Sequence, residues 1–180
     1  MGRCGCWRRV AEGQESGDVA ELNSAVLTVS DRVSRGEAED RSGPLAAQML
    51  EALGFVVVTV RVVPDGVDFV KGALFDLAAQ AALIVTTGGT GLAPRDVTPE
   101  ATAEVIDREV PGLVEAMRSA TFGVNPHGML SRAVAGIHES TLILNLPGST
   151  RGVAESLEVV GPALRHGVEL LLSAASDHNG

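Results

Sequence analysis

The chain has 180 residues, 45% of them hydrophobic and only 3% aromatic, with no tyrosine. That length suits one domain with a full core of Val, Leu, Ile and Ala, as in a parallel sheet covered by helices. A formal net charge of −9 and the scarcity of stacking aromatics argue against a nucleic-acid or membrane surface, and no apolar run approaches the length of a membrane span.

Residues 1–22 form a Gly/Arg-rich stretch without the apolar centre of a signal peptide, and they read as a disordered leader. Cys4 and Cys6, the only cysteines, lie there. Two ligands with no nearby histidine make no structural zinc site. The cysteine-free remainder holds no disulfide, which is consistent with a cytoplasmic protein. A single domain is expected over 23–172, followed by a polar tail at 173–180.

Within that domain, Ala25-Val26-Leu27-Thr28-Val29 predicts a first strand, closed by Ser30-Asp31. Val33 to Ser42 is polar and reads as a loop. Gly43-Pro44 opens a helix that places Leu45, Met49, Ala52 and Leu53 on one face, and Gly54 ends it. Phe55 to Val63, nearly continuous in valine, reads as a strand buried on both faces. Pro64-Asp65-Gly66 is a strong turn signal. A helix follows over Asp68 to Gln80, with Phe69, Leu74 and Leu77 inward, and then the apolar strand Ala81 to Val85.

The next stretch organises the chain. Thr86-Thr87-Gly88-Gly89-Thr90-Gly91 follows that strand, with Arg95-Asp96-Val97-Thr98-Pro99 behind it. Three glycines in four residues let a phosphate or a planar ring approach the backbone amides. The spacing is neither a Walker loop nor a dinucleotide fingerprint. Thr98 reads as an N-cap and Pro99 as the first position of a helix that runs on to Asp107. A further helix is expected over Leu113 to Thr121, then a loop holding His127. His127, His138, His166 and His178 have no partner in the local sequence. Leu130 to Ile137 has a mixed pattern, in which Ser131-Arg132 could hold an anion. Thr141 to Leu146 is a fourth buried strand, ending in Pro147-Gly148-Ser149 before a last helix over 151–172. Such a helix start attracts anions.

Alternation of strand and helix gives a three-layer α/β/α domain with a mostly parallel sheet. Ser30-Asp31, Asp65, Gly88 to Gly91 with Asp96, and Pro147 to Ser149 all follow strands, so they share one rim. Backbone donors and arginines suit phosphate. Aspartates would repel it unless a divalent cation lies between, and one or two carboxylates plus substrate phosphates is how Mg²⁺ is usually held. No cysteine nucleophile or convincing Ser–His pair is present, and nucleotidyl transfer needs neither. The residues thus point to a Mg²⁺-dependent nucleotide transferase.

Five motifs in order carry a resemblance. Thr28-Val29-Ser30-Asp31-Arg32 with Glu39-Asp40-Arg41-Ser42-Gly43-Pro44, Pro64-Asp65, and Thr86 to Gly91 with Arg95 to Ala101 are the first three. Leu130-Ser131-Arg132 and Asn145 to Ser149 complete them. Over 23–172 the chain resembles the MoaB/Mog family of molybdenum cofactor biosynthesis, whose fold recurs in the G domain of gephyrin. The resemblance implies a cytoplasmic homotrimer that adenylylates molybdopterin with Mg²⁺ and ATP, releasing pyrophosphate. It implies that Asp65 and Asp96 are the catalytic pair and organise Mg²⁺ and the triphosphate. Ser30, Asp31, Thr87 and Gly88, Gly89, Thr90 and Gly91 would contact substrate phosphates. Ser131, Arg132, Pro147, Gly148 and Ser149 would grip the pterin side. A molybdenum-insertion protein would receive the product. The alternative is a non-catalytic pterin-binding or scaffold trimer of the same family. A hydrolase on a similar domain, as in competence-damage-type proteins, would carry an additional C-terminal domain.

Overall fold

A computed structural model describes residues 22–177, with side chains to residue 175. Most of the expected leader, including Cys4 and Cys6, and His178 lie outside the described residues. Leu22 belongs to the fold: its side chain is buried, and its carbonyl accepts from the Val56 amide at 3.0 Å.

Six strands form one sheet: β1 (Asn23–Val29), β2 (Val56–Val63), β3 (Leu83–Thr87), β4 (Arg108–Glu109), β5 (Ala135–His138) and β6 (Thr141–Leu146), in the order β2-β1-β3-β6-β5-β4. β2, β1, β3 and β6 are parallel; β5 pairs antiparallel with both β6 and β4. The helices are α1 (Asp31–Ser34), α2 (Ser42–Ala52), α3 (Val67–Ala78), α4 (Thr98–Ala103), α5 (Pro111–Ala120) and α6 (Thr150–Asp177).

The two-residue period of the central strands feeds two cores. Ala25, Leu27, Val29, Ile84 and Ile143 meet α3 and α4 through Val70, Leu74, Leu77 and Ala101. Val26, Val85, Leu144 and Leu146 face the opposite way, onto α2, α5 and α6 through Leu50, Val114, Leu157 and Leu164. Because each face is covered, these strands carry unbroken apolar runs rather than alternating ones. The architecture is the expected three-layer α/β/α sandwich with a mostly parallel sheet.

Several details depart from expectation. Phe69, expected inward, is exposed. β2 is an edge strand, and Val56, Val58, Val60 and Val62 are 36–49% exposed. Its valines give it strand propensity, but among the described residues β1 is its only strand neighbour. The helix expected to reach Asp107 ends at Ala103, and the short strand β4 follows. The loop expected around His127 holds a one-turn 3-10 helix (Pro126–Leu130), and the mixed segment Leu130 to Ile137 runs into β5. α6 runs through Pro162 to Asp177, so the start of the expected polar tail is helical.

Chain direction fixes the site. From β1 the sheet grows one way to β2, and from β3 it grows the other way to β6. The carboxyl ends of β1 and β3 therefore flank a topological switch point, where a crevice opens in sheets of this kind.

Candidate active site

A cavity of about 460 Å³ sits over that switch point. Its walls include Ser30 after β1, Asp65 after β2, Thr87, Gly88 and Gly89 at the end of β3, Asp96, and Gly148 and Ser149 before α6. The two aspartates, 31 positions apart (96 − 65) in the sequence, thus face one space.

Each aspartate is held by one carboxylate oxygen. Asp65 Oδ2 accepts from the Asp31 amide at 2.9 Å, and Asp96 Oδ2 accepts from the Ala93 amide at 2.8 Å. The second oxygen of each takes no hydrogen bond from the described residues. Two oriented carboxylates, each with a free oxygen, fit a Mg²⁺ ion that completes its shell with water and phosphate. Among the described residues no group of three or more His, Cys, Asp or Glu side chains could hold a metal alone.

The glycine loop is shaped by close approach. Gly88 has φ +100°, and a Cβ there would lie 2.3 Å from the Val29 carbonyl oxygen. Gly89 has φ +62°, and its Cβ would lie 2.3 Å from Thr98 Oγ1. Only glycine meets both demands. Thr98 is not the side-chain cap expected of it. It is fully buried, donates from Oγ1 to the Gly88 carbonyl at 2.9 Å, and donates from its amide to the Gly89 carbonyl at 3.1 Å. The amides of Gly89, Thr90 and Gly91 donate to no acceptor among the described residues. Three successive free donors form an anion-binding concavity.

A second cavity of about 460 Å³ lies on the other side of this loop. Thr90, Gly91, Ser131 and Pro147 line it, with Met117 and Val159 supplying apolar wall. Ser149 lines both cavities. It also caps α6, accepting the Gly152 amide on Oγ at 3.1 Å and the Val153 amide on its carbonyl at 2.9 Å. Thr87 Oγ1 donates to the Pro147 carbonyl at 2.8 Å, which ties the β3 and β6 loops together. Behind them Asn145, fully buried, donates to Thr86 and Thr102 and accepts from the Val134 amide.

Two residues expected to touch substrate line neither cavity. Asp31 turns its carboxylate to the Asp65 amide, 3.2 Å away, and so clasps the turn that carries Asp65. Arg132 is half-buried and points at the glycine loop: Nε donates to the Gly91 carbonyl at 2.7 Å, and the guanidinium also bonds the Asp96 carbonyl and the Glu100 carboxylate. Its charge holds the Glu100 carboxyl below the usual carboxylate range, chiefly through that hydrogen bond and against partial burial.

Among the further wall residues, Asp40 and Arg95 had no individual role assigned from sequence. Asp40, within the segment read as a polar loop, accepts from Thr28 Oγ1 at 2.7 Å and from the Gly43 amide at 2.9 Å, tying α2 to β1. The Asp40–Gly43 spacing before a helix was the available signal. Arg95 lines the first cavity, and its guanidinium has no partner among the described residues. Of the three described histidines only His127 lines either cavity.

Comparison with known proteins agrees with this fold. A family model described as a probable molybdopterin binding domain matches residues 25–166. A molybdopterin adenylyltransferase of Helicobacter pylori is 40% identical over 84% of the chain and 88% of its own length. Gephyrin of Dictyostelium discoideum is 43% identical over 82% of the chain, which spans only 22% of that longer protein. The crystal structure of the molybdopterin biosynthesis enzyme MoaB of Thermus thermophilus superposes with a TM-score of 0.79 at 47% identity, covering 83% of this chain and 96% of that one.

Proposed function

Because the chain belongs to the molybdopterin-binding domain family, we propose that it acts in molybdenum cofactor biosynthesis by transferring the adenylyl group of ATP to molybdopterin. The observation that carries this reading is the convergence of Asp65 and Asp96 on one cavity beside a cradle of free amides. Relatives named molybdopterin adenylyltransferase support the choice of reaction.

In this reading the first cavity takes the nucleotide and the second takes the pterin. A terminal phosphate oxygen of molybdopterin attacks the α-phosphorus of ATP. A new P–O bond forms there as the bond from the α-phosphorus to the bridging oxygen breaks, and pyrophosphate leaves with that electron pair. Asp65 and Asp96 would hold Mg²⁺, which supplies charge neutralisation between the phosphates. The amides of Gly89, Thr90 and Gly91 would receive phosphate oxygens, and Arg95 offers a further positive charge to the leaving group. Ser131 and Pro147 would contact the pterin side. Ser149, common to both walls, would keep the two phosphates in line. Positioning of this kind is what phosphoryl chemistry asks of a protein.

The same kinship makes a homotrimer the expected assembly, checked by light scattering on the purified protein. The test of activity is pyrophosphate release from ATP with and without molybdopterin. Release that requires both Mg²⁺ and the pterin, and is lost in Asp65→Asn and Asp96→Asn, supports the transferase. Stoichiometric pterin binding without turnover would identify a scaffold instead.

A further inference from the structure

We infer that Arg132 is a positioning residue, which braces the loop carrying Asp96 instead of gripping a substrate phosphate. The inference rests on the adenylyltransferase reading for its kinetic consequence, but not for its structural one.

Each of the three guanidinium nitrogens already has an acceptor. Nε holds the Gly91 carbonyl at 2.7 Å, and the other two hold the Asp96 carbonyl and the Glu100 carboxylate. The Arg132 amide adds a bond to the Thr90 carbonyl at 3.0 Å. One side chain therefore pins both ends of the loop from Gly91 to Asp96 and joins them to the first turn of α4. Inside that loop the Ala93 amide fixes Asp96 Oδ2 at 2.8 Å. The direction of the Asp96 carboxylate toward Asp65's cavity thus depends on the brace. An arginine binding a phosphate would present two neighbouring N–H groups to the ligand, whereas Arg132 lines neither cavity.

The two roles respond differently to lysine. A point charge can replace a guanidinium on a phosphate, but a single nitrogen cannot span three separated acceptors. Arg132→Lys, Arg132→Gln and Glu100→Gln are compared with the unaltered protein by three measurements. These are amide hydrogen exchange across 91–98, the Mg²⁺ concentration for half-maximal ATP binding, and pterin affinity.

A brace predicts faster exchange in 91–98 and a rise of about 10-fold in the Mg²⁺ requirement for both Arg132 variants. Lysine gives no rescue, and pterin affinity stays within about twofold of the unaltered protein. Glu100→Gln moves the same two readouts less, because two carbonyl contacts survive, and it serves if an Arg132 variant fails to fold. Two results overturn the inference: unchanged exchange in 91–98, or a loss of pterin affinity in Arg132→Gln that lysine restores. If the unaltered protein binds no Mg²⁺-ATP, the transferase reading fails while the exchange measurement still decides the brace.

Discussion

Asp31 and Asp65 hold each other by reciprocal bonds. The Asp31 amide donates to Asp65 Oδ2 at 2.9 Å, and the Asp65 amide donates back to Asp31 Oδ1 at 3.2 Å. The clasp joins the carboxyl ends of β1 and β2 and fixes which Asp65 oxygen stays free for the cavity.

The clasp separates two substitutions of similar size. Asp65→Asn keeps an acceptor for the Asp31 amide but loses the charge, so pyrophosphate release is expected to fall by about 10²-fold or more with the fold intact. Asp31→Ala leaves Asp65 charged and keeps the backbone amide of residue 31 on its Oδ2, but removes the acceptor that holds the Asp65 amide, and a loss of about 10-fold is expected, as for other residues that orient a metal ligand. Asp31→Asn retains an acceptor for the Asp65 amide and should cost less than Asp31→Ala. Steady-state rates at saturating Mg²⁺ check the order. An Asp31→Ala enzyme with unaltered rate would remove the clasp from the mechanism.

Two glycines give a contrast in stability. Gly88→Ala puts a Cβ 2.3 Å from the Val29 carbonyl oxygen at φ +100°, and is expected to destabilise by about 2–5 kcal/mol. Gly72, inside α3, has nothing within 4 Å of its would-be Cβ. Gly72→Ala is expected to stabilise by about 0.5–1 kcal/mol, by adding helix propensity and reducing the freedom of the unfolded chain. Urea denaturation of the two variants measures both, and their opposite signs are the prediction.

Thr98→Val keeps the shape of a fully buried side chain and removes the hydroxyl that donates to the Gly88 carbonyl. The expected cost is about 1–3 kcal/mol, the usual penalty for leaving a buried acceptor unpaired. Thr98→Ser keeps the donor and should retain loop order. The comparison is made by denaturation together with exchange of the residue 98 amide, which donates to the Gly89 carbonyl. Equal loop protection in the Val and Ser variants would sink this role for the hydroxyl.

Much of this arrangement was legible in the chain because backbone demands write themselves into local sequence. Three glycines after an apolar run mark a close approach, and Leu83 to Thr87 is buried along its whole length as such a strand requires. β2 was misjudged because valine reports strand propensity, whereas burial depends on how many neighbours the sheet order supplies. The partners of Thr98 and Arg132 were hidden for a related reason. A threonine before proline is a good cap, and an arginine beside serine is a good anion site, but both spend their donors on carbonyls of the glycine loop. Partners so distant in sequence become visible only when β3 and the strand after Arg132 are folded together.

Glu100 offers a readout of the brace that needs no substrate. The Arg132 guanidinium, hydrogen-bonded to it, holds its carboxyl below the ordinary value of 4.5, and partial burial opposes that effect. A carboxyl with a lowered folded pKa stabilises the fold fully above its unfolded value. That contribution is lost as pH falls through the folded value. The Glu100–Arg132 pair should therefore contribute evenly from neutrality down to about pH 5 and fade below it. The two side chains are 48% and 36% exposed, so the contribution is small, about 0.2–1 kcal/mol. Carbon-detected NMR titration of the Glu100 carboxyl should show a midpoint below 4.5 in the unaltered protein. In Arg132→Gln the midpoint should move upward, because both the charge and the charge-assisted hydrogen bond are gone. A midpoint that does not move would mean that the guanidinium is not held against Glu100 in solution, and the loop from Gly91 to Asp96 would then need another anchor.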